Sequence, residues 1–235
     1  MRRLRSRLCL IALASLLLAA CSTTSGDKSG RFDPSQLAKG DIDRVSEVHR
    51  AQLDASLKVL AEKLYKRNPR EWRNAGQPSL EAAVARIFSV PNYRLPELGD
   101  RAGTAAIVLG LQLDYKGDRV AAFVAGMGNM IDTAFNAKRE FYMYDNLDPQ
   151  GLYNAARNIE IAAWKLASSH DEQGRLLLLS NEMATVQNLS FEREFGRMIG
   201  NLDLLSEIIA GKTNRTVVKV VQSLATAVFL PVGIH

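Results

Sequence analysis

Tyr153, Arg157 and Glu160 recur at i, i+4 and i+7, a spacing that puts all three on one face of a helix. An arginine–glutamate pair beside a tyrosine can bind a polar ligand through charge-assisted hydrogen bonds, or hold a carboxyl group for proton transfer. The same residues also suit a structural junction. The surrounding segment EFYMYDNLDPQGLYNAARNIE (residues 140–160) is rich in aromatics that pack and carboxylates that cap helices. The structural role is the expectation. If Arg157 has Glu160 as its partner, removing the glutamate charge strands the arginine, at a cost of roughly 3–5 kcal/mol for a partly buried pair.

A second constellation is KLYKRNPREWR (residues 63–73), where Lys66, Arg67, Arg70 and Trp72 surround a single acid, Glu71. Cations interleaved with an aromatic suit anionic head groups, lipopolysaccharide phosphates or acidic peptides. They equally suit a solvated helix end whose positive charges complement the helix dipole, and that is the expectation. His49, His170 and His235 occur in no spacing with metal-ligand precedent, so no metal or other cofactor is expected. No G-x-S-x-G nucleophile motif occurs, and no catalytic residue is assigned. AGMGNM (residues 125–130) lacks the third glycine of a dinucleotide loop and follows no strand signal. Its small residues are read as a close-packing face made by Ala121, Ala122, Ala125, Gly126 and Gly128.

The elements that must position these residues read as helices throughout. Ile42, Val45, Val48, Leu53, Leu57, Leu60 and Leu64 form one stripe, ended by Asn68-Pro69. Leu80, Ala83, Val84, Ile87 and Phe88 form another, stopped at Pro91. Asp100 is placed as the cap of a helix running to about Tyr115, and Val120, Phe123, Val124, Met127, Ile131, Ala134 and Phe135 form the next stripe. Asp148-Pro149 is a helix start, with a capping carboxylate and a proline at the first helical position. It opens a 4-3-4-3 seam of Leu152, Ala156, Ile159, Ala163 and Leu166. Leu176–Leu179 is the best strand candidate and suits a buried helix at least as well, and Phe195, Met198, Leu202, Leu205 and Ile209 form the following seam. The apolar segment 217–234 is read as a buried core helix over about Thr216–Leu230, with a partner-docking or membrane-surface helix as the alternative. The fold class expected is all-α: a single multi-helix bundle of about seven or eight helices.

The N-terminus is different in kind. Arg2, Arg3, Arg5 and Arg7 precede an apolar run of about 13 residues, too short for the roughly 20 a membrane span requires. The run ends Leu18-Ala19-Ala20-Cys21, which resembles the lipobox of bacterial lipoproteins. That resemblance, confined to residues 1–22, implies a signal peptide over 1–20 and lipidation of Cys21. With Ser22 rather than an aspartate following, it implies an outer-membrane anchor, with the protein facing the periplasm and the inner membrane as the alternative. Cys9 would leave with the signal, so Cys21 is expected to have no disulfide partner. Residues 21–40 are polar and read as the lipidated cysteine and a flexible tether, leaving 41–235 as the all-helical domain.

The formal charge of +5 includes the four leader arginines and falls to +1 without them. That balance excludes nucleic acid as the expected partner. The expected partners are the membrane, through lipid on Cys21, and an envelope protein. The function expected is an interaction or accessory module. The alternatives are a cell-wall enzyme using Glu160 or Glu140 as acid or base, and a carrier whose cavity is lined by the Val120–Phe135 stripe.

Overall fold

The computed structural model describes residues 39–182 and 187–233. Cys21, the leader and nearly all of the tether lie outside them, as does His235. The described chain is an all-α bundle of seven helices: α1 (Asp41–Arg67), α2 (Pro69–Asn74), α3 (Leu80–Ser89), α4 (Thr104–Gly110), α5 (Arg119–Ala134), α6 (Pro149–Ser168) and α7 (Ser190–Thr213), with 3₁₀ turns at Pro91–Tyr93 and Pro96–Leu98. Two isolated antiparallel bridges, His170 with Leu176 and Glu182 with Asn188, are the strand-like pairings among the described residues.

The stripes converge on one core. Leu53, Leu57, Leu60 and Leu64 of α1 meet Phe123, Met127 and Ile131 of α5 and the Phe195–Ile209 seam of α7, all buried. Val48, counted in the first stripe, instead faces solvent. α6 packs chiefly on α7, and α4 on α5. Two glycines of α5 allow close approach, Gly126 to α4 and Gly128 to the Pro91–Tyr93 turn. A Cβ on Gly126 would lie 2.6 Å from the Gly103 carbonyl and 2.7 Å from the Ile107 nitrogen; one on Gly128 would lie 2.6 Å from the Tyr93 ring. The small-residue segment 121–128 is therefore a close-approach face.

Three elements differ from expectation. The helix placed over Asp100–Tyr115 is confined to Thr104–Gly110. Gly99 (φ 58°) and Gly103 (φ 53°) turn the chain before it. After it, the Arg119 guanidinium gathers the carbonyls of Gly110, Gln112, Leu113 and Tyr115 at 2.6–3.3 Å, so the chain wraps around one cation and does not continue as helix. Leu176–Leu179 is irregular, with Leu178 buried and Leu179 exposed. The largest departure is at the C-terminus. The segment placed as a helix over Thr216–Leu230 is not helical; it is a strap laid along α6, with one turn at residues 224–226. Thr216–Val221 is β-branched except for Lys219, and such side chains favour extended backbone over helix.

Candidate functional site

α6 is started by Asp148, whose carboxylate accepts the N–H groups of Gln150 and Gly151, and by Pro149 at its first position. Two rows of side chains then stand side by side on its surface. Gln150, Asn154 and Asn158 form an amide row at i, i+4 and i+8, next to Tyr153, Arg157 and Glu160.

The amide row and Tyr153 hold the strap by its backbone. Val218 donates to Gln150 Oε1 at 2.8 Å, and Gln150 Nε2 donates back to the Val218 carbonyl at 3.2 Å. Val220 and the Tyr153 hydroxyl exchange bonds in the same way, at 3.0 and 3.2 Å. The returning leg is tied at Leu230, which gives and accepts bonds of 2.7 and 2.8 Å with Asn158, and at Pro231, whose carbonyl accepts from Asn154 at 2.8 Å. The two legs differ in what their side chains do. Ala227 is buried, and Phe229 and Val232 pack on the core, so the returning leg is anchored by apolar burial as well. On the first leg Val218 and Val221 are 67% and 98% exposed. That leg rests largely on hydrogen bonds of about 0.5–1.5 kcal/mol net each. Ordering its backbone costs roughly 1–2 kcal/mol per residue, so it belongs to the least stable part of the described structure.

The trio singled out from sequence is assembled as its spacing requires. The Arg157 guanidinium lies 5.0 Å from the centroid of the Tyr153 ring and 3.1 Å from Glu160 Oε1. Its strongest partner is one that spacing does not reveal: Asp203 of α7, at 2.7 Å. The expectation of a lone Arg157–Glu160 pair is thereby corrected. One cation is shared by two carboxylates, so removing Glu160 does not strand it. Burial pushes both carboxyl groups above the ordinary range. Arg157 opposes that rise at each, and each is pushed further by a neighbouring carboxylate, Asp203 acting on Glu160 and Glu207 acting on Asp203. Arg157 Nε and Asp203 Oδ1 are buried without a hydrogen-bond partner among the described residues. Arg157 and Asp203 also line a cavity of about 600 Å³, together with Tyr153 and Ser206 and with Val217, Lys219, Val220 and Val221 of the strap.

The basic constellation is distributed over two helices. Arg67, at the end of α1, is half-buried and paired with Glu182 at 2.8 Å; Lys66 beside it is exposed. On α2, Arg70 is exposed and borders a small depression with Arg67, Asp171 and Arg175. Trp72 packs against the core, with the Arg73 guanidinium 4.9 Å from its ring centroid. Glu71 turns inward to accept the Arg119 N–H at 2.9 Å, and burial raises its carboxyl pKa. The tryptophan thus ties α2 to the bundle while the cations spread over its rim.

Sequence reasoning missed a buried ionic cluster. Arg50 of α1 is 1% exposed, and its Nη2 reaches Asp132 of α5 at 2.9 Å and Asp54 at 3.0 Å. Arg139 joins the same Asp132 oxygen at 3.0 Å, and the Tyr93 hydroxyl donates to Asp54 at 3.0 Å. Phe135 supplies a ring 5.4 Å from the Arg50 guanidinium. The cluster pins α1, α5 and the segment after α5 together, two cations against two carboxylates. Its signal in the sequence is Arg50 itself, three and seven residues before Leu53 and Leu57 and hence on the apolar stripe. No group of three or more His, Cys, Asp or Glu side chains arranged to hold a metal occurs among the described residues. Comparison with known proteins returns no match to a family model, a curated protein or a solved structure.

Proposed function

We propose that this protein is a lipid-anchored accessory module of the bacterial cell envelope, held by Cys21 at the periplasmic face of the outer membrane, whose helical domain docks a protein partner. The anchor is supported by the lipobox resemblance of residues 18–21 and the polar tether that follows. Among the described residues no helix is long and apolar enough to cross a membrane. The observation that carries the docking reading is the exposure of Val218, Val221 and Val228 on a strap fixed by its backbone to α6. Exposed apolar side chains gathered on one segment, with polar groups at its border, mark interaction surfaces. The test is a photo-crosslinking side chain placed at Val221 of the full chain in living cells, with Asp41, equally exposed, as control. A discrete product at Val221 alone is expected; no product at either position contradicts the proposal.

A second reading is favoured by the raised pKa of two carboxyl groups at cavities on either side of Arg157, Asp203 at the larger and Glu160 at a smaller one: carboxyl acid–base chemistry on a polymer of the envelope. It differs from docking in requiring that Glu160→Gln abolish function while the protein stays folded and correctly located.

A further inference from the structure

The first leg of the strap has a second edge. Val218 and Val220 turn their N–H and C=O groups toward Gln150 and Tyr153, two residues apart, which is the alternation of an extended strand. In that alternation the N–H and C=O groups of Val217, Lys219 and Val221 point to the opposite side. No backbone partner meets them among the described residues. Val221 is 98% exposed, and Lys219 makes one 4.0 Å contact with Glu207 in which both side chains are largely in water. α6 therefore holds a β-branched strand open, with a row of unpaired donors and acceptors at strand spacing. Edges of that kind recruit another strand.

We propose that the outer edge of Thr216–Val221 accepts an extended segment of a different polypeptide by strand addition, with an acidic side chain opposite Lys219. Alternating N–H and C=O groups repeating every second residue are met in full by another extended backbone, which fixes the partner's conformation. Lys219 fixes its charge and disfavours self-pairing. When two copies pair antiparallel in the register that uses every outward group, Lys219 stands directly opposite Lys219, and like charges in facing positions oppose pairing. The inference rests on the docking reading above and names what docks.

The test uses the purified full chain and three fluorescent heptapeptides. The first is Thr-Val-Thr-Glu-Thr-Val-Thr, the second has lysine at its centre, and the third is the glutamate peptide N-methylated along both edges. The glutamate peptide is expected to bind saturably, the lysine peptide about tenfold more weakly, and the methylated peptide not at all. Lys219→Glu should reverse the first two. On binding, amide exchange should slow at Val217, Lys219 and Val221, while Val218 and Val220, already bonded to α6, change little. The proposal is overturned if the glutamate peptide does not bind, if methylation leaves binding intact, or if Lys219→Glu leaves the preference unchanged. If instead a Val221 crosslink forms in cells but the peptides fail, docking survives and strand addition does not. Peptide binding without any cellular crosslink counts against the docking reading alone.

Discussion

The Tyr153 phenol and the Val220 backbone are joined twice, the hydroxyl donating to the carbonyl at 3.2 Å and accepting the amide at 3.0 Å. One side-chain oxygen thus satisfies both polar groups of an extended residue. Gln150 for Val218 and Asn158 for Leu230 reach the same result with two atoms, the amide oxygen accepting and the amide nitrogen donating. Side chains of α6 stand where a neighbouring strand would be, and they bind the strap without reading its sequence.

The two legs should respond differently to losing these bonds. Asn158 is fully buried, so Asn158→Ala leaves the partly buried Leu230 N–H and C=O without their partner and should cost about 1–3 kcal/mol. Tyr153→Phe frees groups near solvent and should cost about 1 kcal/mol or less. It should nonetheless speed amide exchange at Val220. Chemical denaturation and residue-resolved exchange on the two variants check both statements.

Glu160→Gln should change stability at pH 7 by less than about 1 kcal/mol, because Arg157 keeps Asp203 at 2.7 Å. The pH dependence carries the sign. The Glu160 carboxyl is raised on folding, so its contribution is present below the ordinary carboxyl value and is lost as pH rises through the raised one. The wild type should therefore gain on the variant as pH falls through that window. Paired melting curves from pH 7 to pH 4 measure the difference.

Arg50→Ala should be far more damaging, about 3–5 kcal/mol, since it leaves Asp132 and Asp54 without their buried cation. Arg139→Ala, at a side chain half in water, should cost less than about 1 kcal/mol. Urea midpoints of the two variants test that order.

Gly126→Ala brings a methyl group within 2.6 Å of backbone that has nowhere to move, and should destabilise by about 1–3 kcal/mol or more. Gly196→Ala, with nothing within 4 Å of its Cβ and a helical setting, should be neutral or stabilising. Thermal melting of the pair distinguishes a close-packing glycine from an incidental one.

The helices were legible where a 3.6-residue stripe coincided with a single buried face. Phe195, Met198, Leu202, Leu205 and Ile209 are all buried, and Tyr153, Arg157 and Glu160 share the face their spacing implies. Asp203 was not legible as the partner of Arg157, because the contact joins two helices 46 residues apart. In the strap, apolar content points to a buried helix while side-chain shape points to extended chain, and shape prevails. Val217, Val218, Val220 and Val221 are β-branched, a signal for extended chain that was present in the sequence. α4 ends where Arg119 collects four carbonyls of the chain just before it, a side-chain-to-backbone arrangement that apolar periodicity does not encode.

Lipid attachment at Cys21 is the premise on which docking at the envelope stands, and intact mass of the protein isolated from membranes measures it most directly. The expected species begins at Cys21 and carries the mass of its acyl chains. Each buried CH₂ contributes about 0.8 kcal/mol, so several chains give firm attachment. Cys21→Ala should abolish that species, and globomycin should accumulate the uncleaved precursor. A protein recovered from the soluble fraction with no lipid mass on Cys21 would contradict the proposal.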